Sequence, residues 1–337
     1  MKKKILVTGG AGYIGSHTVI ALCEAGFEPI IADNYSNSEP WILDQLTKIT
    51  KKKIKNYTVD CTDKDGLKKV FKEEQIYGVI HFAAYKAVGE SVENPLKYYQ
   101  NNIGSLNCVI ELMNEYGVEN LVFSSSCTVY GEADYLPVDE KHPIKKAESP
   151  YGYSKQVCET LISDCLNSNQ LTRAITLRYF NPVGAHTSGL IGELPIGTPN
   201  NLVPFITQTA AGIRKCLTVF GNDYKTDDGT CIRDYIHVMD LANAHVKALN
   251  TMSDTGKSIT LNVGTGKGSS VLEAVQSFEK VNQLKLNYKI GPKRSGDIEQ
   301  IYAATELAEK TLKWRAEYSL DDAMKDAWRW EKNLANK

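Results

Sequence analysis

Short apolar segments alternate with amphipathic ones through the first half of the chain. Strands are predicted at 5–8, 28–33, 55–60, 78–84, 120–125 and 172–179. Helices are predicted between them at 13–25, 63–75, 95–116 and 151–167, where apolar residues recur at helical spacing. Because alternating strands and helices form parallel strands with right-handed crossovers, we predict an α/β protein with a doubly wound parallel Rossmann sheet.

The pattern changes after Asn181-Pro182. Residues 181–202 are rich in Gly and Pro and show little periodicity, so they are predicted to form a loop that covers a binding cleft. Beyond this loop, helices are predicted near 203–213, 270–280 and 319–333, and strands near 216–220 and 259–264. We therefore divide the chain into a Rossmann domain at 1–180 and a smaller mixed α/β substrate domain at 181–337.

Composition excludes several classes of protein. The 337 residues include 39 basic and 40 acidic ones, a net charge of -1, which does not favour a nucleic-acid or membrane surface. The eight cysteines show neither C-x-x-C nor metal-ligand spacing, so we expect reduced thiols and no metal. The apolar stretch Ile5–Val7 is far too short for a signal sequence, and we expect a soluble, cytoplasmic protein.

A glycine-rich turn follows the first predicted strand. Gly9, Gly12 and Gly15 lie between that strand and a helix, the context in which backbone amides and a helix N-terminus bind a pyrophosphate. Asp33 ends the second strand, where a carboxylate can accept both ribose hydroxyls and repels a 2′-phosphate. The pattern therefore predicts NAD rather than NADP. Asp60 ends the third strand and either reaches the adenine or only forms a turn.

Tyr151 and Lys155 are predicted to lie one turn apart on a helix that Ser149 caps and Pro150 begins. An ammonium group there would favour the phenolate, so the pair could exchange a proton with an alcohol beside a nicotinamide. The serines at 124–126 end the fifth strand, at the sheet edge where ligands bind, and one could relay the proton. Spacing does not decide which of them does so.

Specific motifs extend from about residue 3 to 332. They are TGGAGYIGSHT, HFAAYKAVGES, FSSSCTVYGE, SPYGYSK, LRYFNPVGAH, PNNLVP, FGNDYKTDDGTCIRDYIHVMDLA and RSGD. Together they resemble the motifs of the UDP-glucose 4-epimerases, which belong to the extended short-chain dehydrogenase/reductase family. The resemblance implies reversible interconversion of UDP-galactose and UDP-glucose through a 4-keto intermediate and tightly bound NAD. It also implies an isologous homodimer formed through the helices at 95–116 and 151–167.

The resemblance implies a role for each matching residue. Tyr151 would be the acid/base, Lys155 its electrostatic partner and a ribose ligand, and Ser126 the proton relay. NAD would be bound by Gly9, Gly12, Tyr13, Ile14, Gly15, Asp33, Asn34, Asn37, Ser38, Asp60, Phe82, Lys86, Asn101 and Phe180. The UDP-hexose would be bound by Asn181 and Asn201 at the sugar–diphosphate, Phe220 at uracil, Arg233 and Arg294 at the diphosphate, and Asp297 at the uridine ribose.

Three positions depart from the family pattern. Cys127 replaces a common alanine and Tyr85 a usual leucine, and both changes look tolerable. Ile301 stands where a tyrosine narrows the hexose pocket and a small residue admits N-acetylated sugars. Because isoleucine is intermediate in volume, activity on UDP-N-acetylhexosamines is a hypothesis.

Other functions remain as alternatives. A nucleotide-sugar 4,6-dehydratase needs an acid and a carboxylate where this chain has Ser126-Cys127-Thr128-Val129, which disfavours that reaction. A uronate epimerase, or a non-catalytic NAD-sensing scaffold on the same fold, is less favoured but stays open. A scaffold is expected to lose the tyrosine or the lysine, and this chain keeps both.

Overall fold

A computed structural model describes residues 2–294 and 297–335. In the first half its elements are β1 (Lys4–Thr8), α1 (Tyr13–Glu24), β2 (Glu28–Asp33), α2 (Ile42–Thr50), β3 (Lys55–Thr58), α3 (Lys64–Glu73), β4 (Ile76–His81), α4 (Val88–Glu93), α5 (Pro95–Tyr98), a π-helical turn (Tyr99–Ile103), α6 (Gly104–Tyr116), β5 (Asn120–Ser126), a 3-10 turn (Cys127–Tyr130), α7 (Pro150–Asn167) and β6 (Arg173–Tyr179). The later elements are β7 (Asn181–Val183), α8 (Leu202–Ala210), β8 (Leu217–Phe220), β9 (Ile232–His237), α9 (Val238–Thr255), β10 (Ile259–Val263), β11 (Gly268–Ser270), α10 (Val271–Asn282), β12 (Tyr288–Gly291), β13 (Gln300–Ile301), α11 (Glu306–Leu312) and α12 (Leu320–Leu334).

A seven-stranded parallel sheet organises the molecule, in the order β10-β6-β5-β4-β1-β2-β3. The order reverses between β1 and β4, and in such sheets ligands bind beyond the carboxyl ends of the strands at this point. This architecture confirms the predicted doubly wound Rossmann sheet. The sheet is not confined to residues 1–180, however, since β10 comes from the second half and pairs with β6.

Side-chain alternation along the strands forms a core on each face of the sheet. Ile5 and Val7 pack with the residues of α1 and α9, whereas Leu6 packs on the opposite face with α3 and α6. Strands that are buried on both faces read as continuous apolar runs, which is why the sequence revealed them.

The remaining elements form a smaller unit above the carboxyl edge of the sheet. Strand β9 pairs with β7, β11 and β13, and β8 pairs with β12 in a separate two-stranded sheet. A third core joins α8, α10 and α12. The domain boundary at 180/181 stays a prediction. Two elements from beyond it, β10 and α9, belong to the large sheet and to the helical layer that covers it.

Some predicted elements differ from the observed ones. The predicted helix at 95–116 is interrupted by the π-helical turn Tyr99–Ile103, and the predicted loop at 181–202 begins with β7. Helices α2, α4, α9 and α11 and strands β9, β11, β12 and β13 were not predicted. Within the described ranges, every helix is too short or too polar to span a bilayer.

Candidate active site

A cavity of about 680 Å³ lies at the carboxyl edge of the sheet, between the sheet and the smaller unit. Most of the residues that the sequence proposed for the site line it. They are Gly9, Gly12, Tyr13, Ile14, Gly15, Asp33, Asn34, Asn37, Ser38, Asp60, Phe82, Lys86, Asn101, Tyr151, Lys155, Asn181, Asn201, Arg233, Arg294, Asp297 and Ile301. Ser126, Phe180 and Phe220 are not among the described residues that line it. Residues separated by almost 300 positions thus meet at one site.

The turn between β1 and α1 forms one end of this cavity. Gly9 adopts φ +69°, a conformation that residues with a side chain rarely adopt, and a Cβ at this position would lie 2.9 Å from the Ala83 amide nitrogen. Helix α1 begins at Tyr13, and its N-cap residue, Gly12, supplies no side-chain cap; its first turn contains no acidic residue. Its first amides therefore lack a protein partner of the usual kind and point their partial positive charge at the cavity, as a dinucleotide pyrophosphate requires.

Asp33 is buried at the end of β2, beside this turn. Its carboxylate accepts hydrogen bonds from the Ala11 amide at 2.9 Å, the Tyr35 amide at 2.8 Å and the Ser38 hydroxyl at 3.1 Å. A carboxylate has about four acceptor positions, so it can still receive a ribose hydroxyl. Its fixed negative charge at this place fits NAD.

Asp60, at the outer end of the same cavity, holds its own turn. It accepts from the Asn34 amide at 2.8 Å and from the backbone and hydroxyl of Thr62. Burial opposes ionisation of Asp60, but these hydrogen bonds lower its pKa below the ordinary value. Both interpretations of Asp60 are therefore compatible, because it forms a turn and also lines the cavity.

Tyr151 and Lys155 lie one turn apart near the start of α7. The Ser149 hydroxyl accepts from the Gly152 amide at 3.1 Å, and Pro150 occupies the first turn, as expected from the sequence. Both side chains are more than nine-tenths buried and line the cavity. Lys155 donates to the Ser124 carbonyl at 2.7 Å, which fixes its ammonium beneath the carboxyl end of β5.

The pKa shifts of this pair are dominated by burial. Burial raises the pKa of Tyr151 well above its ordinary value, Tyr179 raises it further, and a hydrogen bond with Ser126 lowers it. Burial lowers the pKa of Lys155 to about 8, and Cys158 and Glu159 oppose this effect. The groups that shift the pKa of Tyr151 most are thus not the Lys155 ammonium, which the sequence predicted to lower it. Any phenolate at Tyr151 requires a further positive charge beside it.

The other end of the cavity carries the two predicted arginines. Arg233, on β9, contacts the Asp297 carboxylate at 3.2 Å, so two residues assigned to different parts of the substrate form one ion pair. The guanidinium of Arg294 stacks on the Phe220 ring at 3.9 Å. Ile301 lies beside Arg233 in the strand register and is buried among Cys127 and Phe180. This end therefore combines cationic groups with an aromatic ring and an apolar wall.

Tyr179 and Glu193 are among the cavity residues that the sequence did not reveal. Tyr179 ends β6, in register with Ser126, and its aromatic side chain at a strand end was an available signal. Burial raises the pKa of Tyr179 to about 12. Glu193 accepts hydrogen bonds from Lys86 at 2.9 Å and Asn201 at 2.6 Å, but it belongs to an aperiodic loop that offers no local pattern.

Comparison with known proteins gives a consistent result across the chain. A family model described as GDP-mannose 4,6 dehydratase matches residues 6–327. The UDP-glucose 4-epimerase of Haemophilus influenzae is 49% identical over 329 residues, which cover 98% of this chain and 97% of that protein.

Two solved structures are similar over nearly their whole length. A UDP-glucose 4-epimerase from Stenotrophomonas maltophila, with bound NAD and formylated UDP-arabinopyranose, has a TM-score of 0.97 and 45% identity, and 99% of each chain is covered. The enzyme from Bifidobacterium longum, in complex with NAD+ and UDP, has a TM-score of 0.94 and 43% identity at the same coverage of both chains.

Proposed function

The chain belongs to the UDP-glucose 4-epimerases of the extended short-chain dehydrogenase/reductase family, and we propose that Tyr151, Lys155 and Ser126 are its catalytic residues. It is an NAD-dependent enzyme that inverts C4 of UDP-hexoses, interconverting UDP-galactose and UDP-glucose. Its membership of this group disfavours both the uronate epimerase and the scaffold. The 3-10 turn Cys127–Tyr130 carries no acidic residue, which disfavours a dehydratase.

The residues around β1 and β2 would hold NAD. The uncapped start of α1 would bind the pyrophosphate and Asp33 the adenosine ribose, while Lys86, Asn101 and Lys155 would lie toward the nicotinamide end. Bound NAD would supply the acceptor and donor of the C4 hydride, and the positive charge of its oxidised ring would oppose the effect of burial on Tyr151. The protein's part is to fix these groups in a site shielded from water.

Tyr151 would remove the proton of the C4 hydroxyl and later return it. Burial raises the phenol's pKa and so favours the protonated form, whereas a cation beside Tyr151 would favour the phenolate that acts as a base. Ser126 hydrogen-bonds with Tyr151 and can carry the proton between the phenol and the sugar oxygen. Lys155, held by the Ser124 carbonyl, would orient the ribose and keep a positive charge near the reaction.

The opposite end of the cavity would hold UDP firmly and the hexose loosely. Arg233 and Arg294 would bind the diphosphate, with Asp297 at the uridine ribose and Phe220 at the base. Asn181 and Asn201 would reach the sugar–diphosphate junction. The flat 4-keto sugar could then turn about its link to the diphosphate and present its other face before reduction.

The observation that carries this mechanism is that buried Tyr151 and Lys155 line the same cavity as the start of α1 and the two arginines. Replacing Tyr151 by Phe removes the phenol and keeps the ring, so NAD should stay bound while turnover of UDP-galactose falls about 100- to 10,000-fold. Released NAD is measured after heat denaturation, and product by a coupled glucose assay. Activity near that of the wild type would overturn the mechanism.

Turnover of UDP-N-acetylhexosamines is a second proposal. Ile301 is buried on the cavity wall beside Cys127, where a tyrosine would extend further toward the hexose. The wild-type enzyme should therefore convert UDP-N-acetylglucosamine as well as UDP-galactose. Brisk turnover of UDP-galactose without detectable turnover of the N-acetylated sugar would contradict this.

A cytoplasmic homodimer is a further proposal, and an exposed apolar surface supports the dimer. Val92 on α4, Leu96 on α5 and Tyr153 on α7 are all more than half exposed, and the Tyr99 and Tyr153 rings meet edge to face nearby. Leu96→Asp should shift the protein to monomer in analytical ultracentrifugation. Ile213→Asp, at an equally exposed apolar site after α8, should leave the dimer intact. A Leu96→Asp variant that stays dimeric would exclude this interface.

A further inference from the structure

Glu193 is in contact with three separate segments of the protein. Its carboxylate accepts hydrogen bonds from Lys86, which follows β4, and from Asn201, which precedes α8. Its backbone carbonyl accepts from the indole of Trp330 on α12 at 3.0 Å. The side chain of Glu193 is 12% exposed, so this carboxylate is largely shielded from water.

The backbone around Glu193 is held against the rest of the protein. A Cβ on Gly192 would lie 2.5 Å from the Trp330 ring, so only glycine permits this close approach. The Trp330 ring in turn stacks on the ring of Trp41, which lies next to the start of α2, with 6.1 Å between the ring centroids. Tyr13, at the start of α1, donates to the Gly184 carbonyl at 2.7 Å and fixes the other end of the same loop. The Glu193 carboxylate therefore occupies a defined position.

Lys86 and Asn201 belong to different halves of the proposed site, which is why Glu193 matters. Lys86 lies on the cofactor side and Asn201 on the sugar–diphosphate side. A carboxylate beside two diphosphates would repel both unless a cation neutralised it, and the ion pair with Lys86 supplies that cation. The ion pair thus fixes the position of the Lys86 side chain and neutralises the negative charge of Glu193.

We propose that Glu193 is a positioning residue that couples the retention of NAD to the binding of the UDP-sugar, through Lys86 on one side and Asn201 on the other. This inference rests on the proposed function. A substrate that contacts Asn201 acts on Glu193 through their hydrogen bond and on Lys86 through the ion pair, so each ligand slows the release of the other. By thermodynamic linkage, the effect of UDP on NAD affinity equals the effect of NAD on UDP affinity.

The test compares holoenzyme variants in the presence and absence of UDP, without turnover. The rate of NAD release is measured by trapping the free nucleotide with an NAD-consuming enzyme. In the wild type, saturating UDP is expected to slow NAD release. In Glu193→Gln, which keeps the shape and loses the charge, this slowing should weaken about two- to fivefold, the range expected for a partly exposed ion pair. Lys86→Ala should weaken the slowing by UDP to the same extent. The double variant Glu193→Gln/Lys86→Ala should weaken it no further.

The matched control is Glu279→Gln. Glu279 forms a 3.1 Å ion pair with Lys285, its side chain is 15% exposed, and it also accepts a backbone amide, but it lies outside the described wall of the cavity. This control should behave as the wild type. Full UDP dependence in Glu193→Gln, or none in the wild type, would overturn the coupling. So would faster NAD release in Glu193→Gln to the same degree with and without UDP, because that marks a merely structural role.

These outcomes are separate from those that test the catalytic assignment. The coupling is read from nucleotide release and depends on no chemical step, whereas the mechanism fails if Tyr151→Phe keeps normal turnover. As an independent readout, Glu193→Gln should raise KM for UDP-galactose more than it lowers kcat. A fall in kcat alone would contradict a positioning role.

Discussion

Lys155 should make the folded protein less stable at neutral pH, although it is needed for activity. Its pKa falls from an ordinary value of 10.5 to about 8, mainly because burial penalises the ammonium. A change of this size corresponds to about 3 kcal/mol at 1.36 kcal/mol per pKa unit. Folding below pH 8 carries this full cost, since the lysine is charged in both the folded and the unfolded state.

The cost disappears as the pH rises. Between pH 8 and 10.5 the unfolded chain keeps the proton that the folded protein has lost, so stability increases with pH over this window. Above that window the lysine is neutral in both states and the penalty is gone. Lys155→Met, which removes the group, should therefore be more stable than the wild type at pH 7. We expect about 2 kcal/mol, after about 1 kcal/mol for the lost hydrogen bond to Ser124.

The assay is urea unfolding of nucleotide-free protein at pH 7, 8.5 and 9.5, followed by tryptophan fluorescence. The advantage of Lys155→Met should shrink by about 2 kcal/mol between pH 7 and 9.5. Lys146→Met, at an exposed lysine just before α7, is the control and should track the wild type. A Lys155→Met variant that is less stable at pH 7, or a difference that does not change with pH, would refute this account of burial.

Three further changes test other parts of the structure. Asp33→Ala removes the carboxylate at the turn. Titration of nucleotide-free protein should then show an affinity for NAD about 10- to 100-fold lower and weaker rejection of NADP. An unchanged preference for NAD over NADP would contradict the assignment. Ile301→Tyr should abolish turnover of UDP-N-acetylglucosamine and spare that of UDP-galactose, whereas retained activity on both would show that this residue is not the gate. Glu159→Ala leaves the buried Arg178 without its 2.5 Å partner, so urea unfolding should show a loss of about 3–5 kcal/mol. Glu279→Ala, at the more solvated pair, should lose 1 kcal/mol or less, and equal losses would show that burial is not the cause.

The sequence predicted the parallel sheet because its strands are apolar on both faces. Their bounds were less accurate: β3 ends at Thr58 rather than at residue 60, and β4 spans Ile76–His81 rather than 78–84. The long helix predicted at 95–116 has the right residues but not the right regularity, since the π-helical turn at Tyr99–Ile103 interrupts it. Helix periodicity alone does not reveal such a turn.

The site was predictable wherever a local motif carried it. The glycine turn, Asp33 and the Tyr151–Lys155 pair follow from spacing and strand ends. The pairing of Arg233 with Asp297 was not predictable, because the two side chains are 64 positions apart and meet only through the smaller sheet. The same holds for Glu193, whose partners lie 107 positions before it and 8 after it. The pKa values of Tyr151 and Lys155 depend mainly on burial, which the spacing of residues along the sequence does not reveal.

The position of β10 has a consequence for how the protein is made. Its place at the edge of the large sheet means that the nucleotide-binding half cannot be completed until residue 263 has left the ribosome. Before that, the edge of β6 that will pair with β10 has no partner strand, and the apolar face of α1 is not yet covered by α9. A nascent chain of 180 residues thus exposes the surfaces most prone to aggregation and depends on its distant partner or on a chaperone. The large sheet is therefore completed only late in synthesis.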